Sequence, residues 1–219
     1  QPWVLCGNVI LNRGRILYAV KNTIKHYSEK AQHYYDLYHS VDAEKVHSDW
    51  KAFLHTTQPG IALDVGAGSG RDANWLAEQG WKVVAVEPAD NLRTLAQSNA
   101  HNSVTWCNAS LPALTALPHE PTTYDLILLS AVWMHLPEAE RPPALKRLAE
   151  LLSKNGTLYI SLRFGPNDEA RPMHPVSYEE LATLAESNGL KARNLNPVPG
   201  KDGLQRDDVK WVTVEVVKR

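Results

Sequence analysis

From residue 61 onward, short apolar runs rich in β-forming residues alternate with segments that show helical periodicity. Five of these runs are separated by helical segments, and a final pair is joined by a loop. The predicted strands cover residues 61–65, 82–86, 103–106, 124–130, 157–162, 190–195 and 209–217. Alternating strands and helices are typical of a parallel sheet with helices on both faces. The final pair is expected to be antiparallel, because it is joined directly by the loop over residues 196–208.

Two further features help to order these elements. The run Tyr124–Ser130 is almost continuously apolar, as expected of a central strand that is covered on both faces. Before the fifth strand, Pro142 and Pro143 mark the first turn of a helix that we expect to end at Asn155–Gly156. The pattern thus predicts an α/β fold with seven strands.

The first 60 residues differ from the rest of the chain. Residues 1–30 are basic, and residues 26–53 are rich in Tyr, His and Trp and are predicted to be helical. We therefore expect a helical extension or lid over residues 1–55, followed by one large domain over residues 56–219.

Composition and charge exclude several classes of protein. The chain has 219 residues, of which 43% are hydrophobic and 21% charged, and its formal net charge is −1. These values are not those of a collagen, a disordered chain or a strongly basic protein that wraps nucleic acid. The two cysteines, Cys6 and Cys107, lie far apart, so neither a zinc knuckle nor a disulfide scaffold is predicted, and no metal site is expected.

The sequence also predicts a location. No apolar run approaches the roughly 18 residues that a membrane helix needs. The opening residues lack the features of a signal peptide. Since cysteine usage gives no sign of a disulfide framework, a reducing compartment is the default. We expect a soluble, cytoplasmic protein.

The stretch Leu63–Arg71 carries the clearest chemical signal, because it runs from a predicted strand through Gly66, Gly68 and Gly70 into a predicted helix. Glycines allow a tight turn and a close approach of a ligand to the backbone, and the helix then presents free N–H groups. A plain strand-to-helix turn is the alternative. The spacing G-x-G-x-G, with Arg71 near the place of the third glycine of a dinucleotide fingerprint, argues against a nicotinamide cofactor.

A second signal is Glu87, at the end of the second predicted strand. A carboxylate at this position can accept hydrogen bonds from both hydroxyls of a ribose. Its alternative role is that of a solvated side chain at a strand end. Together, the glycine turn and Glu87 predict an adenosine-bearing ligand at the carboxyl ends of the first two strands.

These residues resemble the class I S-adenosylmethionine-dependent methyltransferases. Residues 63–70 are similar to the first motif of that family, residues 83–87 to its second, residues 124–136 to its fourth and residues 155–162 to the strand that follows. Residues 70–80 are similar, more narrowly, to small bacterial methyltransferase-domain proteins. The resemblance implies a Rossmann-like sheet of seven strands in the order 3-2-1-4-5-7-6, with strand 7 antiparallel and helices on both faces. It also implies S-adenosyl-L-methionine as cofactor and S-adenosyl-L-homocysteine as product.

The resemblance further implies roles for single residues. Asp64 would lie near the methionine ammonium group, and the three glycines would surround the carboxylate and ribose of the cofactor. Glu87 matches the acid that binds the ribose, and Pro88 would flank the adenine. Asn108 stands where the family often has an Asp that accepts from the adenine amino group, and its amide oxygen can still accept. Ser130 ends the fourth strand, beneath the methionine arm.

Two residues are candidates for the acceptor side of the site. His135 carries the only titratable ring just after the fourth strand, and it can either deprotonate a hydroxyl or thiol or simply hydrogen-bond a loop. Arg163 follows the fifth strand, where an arginine aimed into a pocket would hold an anion or a carboxylate. The tyrosines within residues 27–38 are expected to lie on the lid, mostly in packing contacts, with one of them able to cover the cofactor.

Methyl transfer is an in-line displacement that needs no metal triad or paired carboxylates, because positioning alone can supply about 7–11 kcal/mol. We therefore predict an enzyme that transfers a methyl group from S-adenosylmethionine to an O, N or S atom of a small-molecule acceptor, and Arg163 favours an anionic one. An RNA or DNA methyltransferase is the alternative, disfavoured by the net charge of −1 but kept open by the basic residues 1–30. A protein that binds the cofactor without turnover, or one that methylates a protein partner, is a third class.

Overall fold

The computed structural model describes residues 20–119 and 121–219. Its helices are α1 (residues 20–29), α2 (Ala31–His39), α3 (Ala43–Val46), α4 (Ala52–Thr56), α5 (Arg71–Glu78), α6 (Asp90–Ser98), α7 (Arg141–Leu151) and α8 (Tyr178–Ser187). Two short 3-10 turns, Trp133–His135 and Glu138–Glu140, precede α7. None of the helices in the described residues is both long enough and apolar enough to cross a membrane.

The predicted N-terminal extension, residues 1–55, lies partly outside the described residues, as do Cys6 and most of the basic segment. The part that is described folds into α1 to α4, so the helical pattern predicted for residues 26–53 is confirmed. Ala31 and Tyr34 of α2 pack against Ala89 and Leu92, at the beginning of α6. This contact holds the N-terminal helices beside the carboxyl edge of the sheet.

Within the described residues, eight strands form one sheet in the order β3-β2-β1-β4-β5-β8-β6, with β7 paired to β8. The strands are β1 (Ile61–Val65), β2 (Lys82–Val86), β3 (Val104–Cys107), β4 (Tyr124–Leu129), β5 (Leu152–Phe164), β6 (Leu190–Asn194), β7 (Gly200–Lys201) and β8 (Lys210–Lys218). The predicted order of seven strands is confirmed, since β8 is the predicted seventh strand. The eighth is the two-residue β7, which lies inside the loop that joins the last pair.

Five neighbouring strands of the sheet are parallel: β3, β2, β1, β4 and β5. Strand β8 lies between β5 and β6 and is antiparallel to both. At the centre of the sheet, Leu63 of β1 pairs with Val84 of β2 and with Ile127 of β4. Parallel strands have their carboxyl ends at one edge, and ligands of open α/β sheets bind outside that edge. The topology therefore brings the segments that follow β1, β2, β4 and β5 to one place.

The fifth strand differs from its prediction at its beginning. Helix α7 ends at Leu151 and β5 already begins at Leu152, so Asn155–Gly156 belongs to the strand and does not close the helix. The pairing of β5 with β4 shifts register in this stretch. A Cβ on Gly156 would lie 2.8 Å from the carbonyl oxygen of Tyr124. The glycine is needed because two backbones approach closely here. In the sequence, a glycine at this position looks the same as one that ends a helix.

The sheet buries an apolar layer on each face. Along β1, Leu63 and Val65 belong to the cluster that α7 and α8 cover, whereas Ala62 belongs to the cluster that α5 covers. Successive residues of a strand point to opposite faces, so β1 contributes to both layers. The predicted helices on both faces are therefore confirmed. Asp64 points to the same face as Ala62, which places its carboxylate near Arg71 and Asp72 of α5.

Candidate functional site

A cavity of about 530 Å³ opens along the carboxyl edge of the sheet. Its volume lies within the range of about 300–1,000 Å³ that is usual for small-molecule sites. Most of the predicted site residues line it: Gly66, Gly68, Glu87, Pro88, Ser130, His135 and Arg163. Asp64, Gly70 and Asn108 lie outside this lining. Among the described residues, no group of three or more His, Cys, Asp or Glu side chains is arranged to hold a metal ion.

The three glycines after β1 adopt left-handed backbone conformations. The φ angles are +72° at Gly66, +55° at Gly68 and +78° at Gly70, in a region that residues with a Cβ rarely adopt. A Cβ on Gly66 would lie 2.5 Å from Val132, and one on Gly70 would lie 2.9 Å from the Trp106 ring. Gly70 is thus required for packing beneath the turn. Gly66 and Gly68 bring their backbone to the cavity.

Glu87 is buried, and its carboxylate joins the loops on either side of it. Oε2 accepts a hydrogen bond from the Gly68 N–H at 2.9 Å, and Oε1 accepts one from the Ala89 N–H at 2.8 Å. Burial raises the pKa of Glu87 to about 7, against these two donors and the nearby Arg93 guanidinium. Each carboxylate oxygen keeps a lone pair for a further donor. The carboxylate is therefore able to accept hydrogen bonds from two hydroxyl groups of a ligand in the cavity.

Asp64 lies beneath the glycine turn and is only 1% exposed. Its Oδ2 has no hydrogen-bond partner among the described residues. Burial raises the pKa of Asp64 well above its ordinary value, and the Asp72 carboxylate adds to this rise. Buried polar oxygens normally have a donor. The free oxygen is therefore compatible with a cationic donor such as an ammonium group.

A buried network beside Asp64 was not predicted from the sequence. Arg71 donates from Nε and Nη2 to the two carboxylate oxygens of Asp72, at 2.7 and 3.0 Å. His47 Nε2 lies 3.0 Å from Asp72 Oδ2, and Trp50 Nε1 donates to His47 Nδ1 at 3.2 Å, which leaves the imidazole proton on Nε2. Although burial raises it, the pKa of Asp72 is held below its ordinary value by Arg71 and His47. The network keeps one ionised carboxylate next to Asp64.

The residues predicted for the adenine are only partly brought together. Pro88 lines the cavity, but Asn108 is exposed and its Nδ2 donates to Asp90 Oδ1 at 3.3 Å. The next two residues, Ala109 and Ser110, line the cavity instead. The segment after β3 therefore reaches the cavity, but through the two residues that follow Asn108 and not through Asn108 itself.

The chain turns sharply after β4. Ser130 lines the cavity, and Ala131 has a φ of +59°, which costs about 1–2 kcal/mol in a residue with a Cβ. The Ala131 N–H donates to Ser161 Oγ at 2.7 Å, and this bond helps to hold the strained turn. Backbone strain of this kind tends to occur at functional sites. The turn places His135 at the cavity.

His135 faces the cavity, as a base would, and it also hydrogen-bonds a loop. The structure therefore has features of both roles that the sequence suggested for this residue. Its Nδ1 lies 3.1 Å from the Pro172 carbonyl oxygen. Because a carbonyl only accepts, the proton is on Nδ1 and Nε2 is an acceptor. Nε2 lies 3.4 Å from the Tyr27 hydroxyl. Burial lowers the pKa of His135 to about 4, and neighbouring cationic side chains add to this effect.

Arg163 is 9% exposed and lines the cavity. Its Nη1 donates to the Pro166 carbonyl at 2.9 Å, and its Nε has no hydrogen-bond partner among the described residues. Burial lowers the pKa of Arg163, as does repulsion from Arg206 and Arg171. Each of those two arginines has a carboxylate partner: Arg206 with Asp202, and Arg171 with Asp168. Within residues 20–119 and 121–219, Arg163 forms no such ion pair, and it is thus a buried cation of the cavity without a carboxylate partner there.

Arg171 was also missed by sequence reasoning. It lies in the segment between β5 and α8, and its Nη1 donates to the Tyr27 hydroxyl at 3.1 Å. Its guanidinium carbon lies 5.7 Å from the centre of the Tyr27 ring and 5.3 Å from that of Tyr34. Tyr38 donates to the Tyr27 hydroxyl at 3.5 Å. These contacts join segments far apart in the chain, so no local pattern could have indicated them.

Comparison with known proteins identifies the central part of this fold. Residues 63–160 match the family described as methyltransferase domain. Residues 63–160 thus carry a methyltransferase domain. The match begins in β1 and ends in β5, so it includes the glycine turn, Glu87 and His135. The class I S-adenosylmethionine-dependent methyltransferase family predicted from the sequence is therefore confirmed.

Curated relatives match over part of their length. One is an uncharacterised methyltransferase of Staphylococcus carnosus, which is 27% identical over 107 residues, or 49% of this chain and 49% of that protein. The chain spans about half the length of the curated relatives that it matches.

Solved structures share the fold of the methyltransferase domain. The 1,6-didemethyltoxoflavin-N1-methyltransferase of Burkholderia thailandensis has a TM-score of 0.66 and 22% identity, covering 92% of this chain and 88% of that one. Magnesium protoporphyrin IX methyltransferase of Synechocystis has a TM-score of 0.60 and 21% identity, covering 80% and 79%. The first structure contains bound S-adenosylhomocysteine and the second S-adenosylmethionine. S-adenosylmethionine, the cofactor predicted from the sequence, is the methyl donor of this class.

Proposed function

We propose that this protein binds S-adenosylmethionine in the cavity and transfers its methyl group to an O, N or S atom of a small-molecule acceptor. The observation that carries this proposal is the junction of Gly68 with Glu87, where a glycine turn and a buried carboxylate meet on the wall of one cavity. Backbone N–H groups and a carboxylate in this arrangement suit the ribose of an adenosine.

The cofactor would lie along the carboxyl ends of β1, β2 and β4. Glu87 would accept from the ribose hydroxyls and Pro88 would flank the adenine. Gly66 and Gly68 would contact the ribose and the methionine carboxylate, and Ser130 would lie under the methionine arm. The unpartnered Oδ2 of Asp64 supports a contact with the methionine ammonium through water.

The acceptor would lie on the other side of the methyl group, near His135 and Arg163. A buried cation without a paired carboxylate is costly, so Arg163 favours an acceptor with an anionic group. A cavity of about 530 Å³ suits a small molecule better than a nucleic-acid strand. The names of the two structural neighbours, which refer to 1,6-didemethyltoxoflavin and magnesium protoporphyrin IX, also support a small-molecule acceptor.

The N-terminal segment would act as a lid on this site. Residues of α1 and α2, among them Tyr27 and Tyr38, line the cavity. This lining supports the predicted division into an extension or lid over residues 1–55 and a catalytic domain over residues 56–219.

Incubation with S-adenosylmethionine that carries a deuterated methyl group, together with separate metabolite, nucleic-acid and protein fractions of a lysate, tests the proposal by mass spectrometry. The expected result is a labelled small molecule that forms only when the protein is present. Label found only in RNA or DNA would favour the nucleic-acid alternative. Cofactor binding with no labelled product in any fraction would favour a protein that binds without turnover.

A further inference from the structure

We propose that Tyr27 is a catalytic residue of the methyl transfer. Its hydroxyl oxygen takes the proton of the acceptor's nucleophile while its own proton passes to Nε2 of His135. The acceptor's nucleophile is therefore a hydroxyl or N–H group that still carries its proton at neutral pH. This inference rests on the proposed function and names the chemical class of the acceptor atom.

The hydrogen bonds around Tyr27 have defined directions. Arg171 Nη1 donates to the Tyr27 oxygen at 3.1 Å, and Tyr38 donates to it at 3.5 Å. His135 cannot donate from Nε2, because its proton is on Nδ1, at the Pro172 carbonyl. The Tyr27 hydroxyl is thus the donor in the 3.4 Å contact with His135 Nε2.

Tyr27 lies where a methyl group would be transferred. The Tyr38 ring lies against Gly68, since a Cβ on that glycine would be 3.6 Å from it. The series from Gly68 through Tyr38 and Tyr27 to His135 therefore crosses from the end of β1 to the turn after β4, its neighbour in the sheet. Tyr27 lines the cavity and is only partly buried, so an acceptor can reach its oxygen. The long bond from Tyr38 is the one that an acceptor would replace.

The step balances in atoms and charge. The nucleophile forms a bond to the methyl carbon, and the carbon–sulfur bond breaks with its electron pair going to sulfur. The proton of the nucleophile moves to the Tyr27 oxygen, and the Tyr27 proton moves to His135 Nε2. The positive charge of the sulfonium disappears as that of the imidazolium forms, so the net charge of the cavity is unchanged.

The surroundings of His135 suit it to receive the Tyr27 proton as the methyl group is transferred. Burial lowers its pKa, and the neighbouring cations Arg171 and Arg163 and the His174 ring lower it further, while the Pro172 carbonyl opposes the shift. The imidazole is consequently neutral and able to accept at physiological pH. As the methyl group arrives, the nucleophile becomes cationic and strongly acidic, so a weak base is sufficient. A nucleophile that is already ionised needs no such transfer.

Nitrogen NMR of the free protein with labelled histidine tests the relay without any acceptor. At neutral pH, Nδ1 of His135 should be protonated and Nε2 unprotonated, and Tyr27→Phe should shift the Nε2 resonance. Tyr34→Phe is the matched control, because Tyr34 also stacks on Arg171 but its hydroxyl bonds to His26. A proton on Nε2 in the wild type, or an unchanged resonance in Tyr27→Phe, overturns the relay.

Two probes that carry a carboxylate for Arg163, 3-hydroxybenzoate and 3-mercaptobenzoate, test it in turnover at about pH 8. Tyr27→Phe should lower kcat on the hydroxyl probe by about 10²- to 10⁴-fold and on the largely ionised thiol far less. Equal losses on both probes would mean that Tyr27 only holds the lid in place, and would overturn the proposal. Turnover of neither probe by the wild type counts against the acceptor class of the proposed function, and the nitrogen resonances then decide the relay.

Discussion

The two halves of the cavity are assembled in different ways. The cofactor half joins Gly68 and Glu87, which follow neighbouring strands and meet through a backbone N–H. The acceptor half brings together Tyr27, His135 and Arg171, from α1, the turn after β4 and the segment before α8. The first half is encoded in a local pattern of residues, whereas the second depends on contacts between distant segments.

The two halves also differ in charge. The cofactor half holds two buried acids, Asp64 and Glu87, whose pKa values are raised chiefly by burial. The acceptor half holds a neutral imidazole and the buried cation Arg163. Buried acids suit a ligand that brings an ammonium group and hydroxyl donors, and a buried cation suits an anionic acceptor. Substitutions should therefore affect binding of one ligand and spare the other.

The largest effect is expected for Gly68→Val, which should abolish measurable binding of S-adenosylmethionine in calorimetry. A branched side chain there would occupy the cavity and meet Tyr38. Gly189→Val is a matched control, because Gly189 also has a positive φ, +70°, but nothing lies within 4 Å of its Cβ position. Both variants should lose about 1–2 kcal/mol of stability. Retained binding in Gly68→Val would remove the glycine turn from the cofactor half.

His135→Ala should lower kcat by about 10²- to 10⁴-fold, because it removes the group that receives the Tyr27 proton when Tyr27 takes the proton of the acceptor. The affinity for S-adenosylmethionine should be nearly unchanged, since His135 belongs to the acceptor half. Steady-state kinetics and calorimetry on the same preparation measure both quantities, with the exposed His55→Ala as control. An equal loss of cofactor affinity would show that the two halves are not separable.

Glu87→Gln should weaken S-adenosylmethionine binding by about 1.5–3 kcal/mol, the range of hydrogen bonds to a charged group. Titration calorimetry measures this loss, and the exposed Glu186→Gln should leave the affinity unchanged. If Glu87→Gln shifted thermal unfolding substantially while its affinity matched that of the wild type, its role would be structural.

The same carboxyl group predicts a pH dependence. Ribose hydroxyls donate to the ionised form, so wild-type affinity should rise by about tenfold between pH 6 and 8, and Glu87→Gln should not show this rise. Stability changes in the opposite sense. Because the folded pKa is raised from 4.5 to about 7, the contribution of the group is full below pH 4.5 and is lost as the pH rises through 7.

How far the site could be predicted follows from the same comparison. The glycine turn and Glu87 follow strands that pair in register, so sequence spacing and sheet topology together bring them to one cavity. A contact with the adenine was predicted for Asn108, but the side chain of this residue bonds Asp90 outside the cavity lining. Arg171 carried no signal, because its place depends on how a loop and α1 meet.

The strand pattern was similarly predictable, and the largest error in a strand boundary, at the beginning of β5, has a physical cause. The pair Asn155–Gly156 resembles a helix stop, but the glycine allows the close approach of β5 to the Tyr124 carbonyl. Only the pairing partner distinguishes these two uses of a glycine.

The smallest effect is expected for Arg163→Lys, which should raise the KM of an anionic acceptor such as 3-hydroxybenzoate by roughly tenfold, the loss of one charged hydrogen bond. Lysine keeps the charge but lacks the planar fork, so kcat and cofactor affinity should change little. Arg193→Lys, on the exposed part of β6, is the control. An unchanged KM would place the anion elsewhere in the acceptor half.

Calorimetry of the wild-type protein with S-adenosylmethionine, S-adenosylhomocysteine and NADH tests the central claim most directly. Both adenosyl ligands should bind with dissociation constants of about 1 μM, equivalent to about −8 kcal/mol, and NADH should give no heat of binding. Binding of NADH, with no heat from either adenosyl ligand, would contradict the account of the cofactor half and with it the proposed methyl transfer.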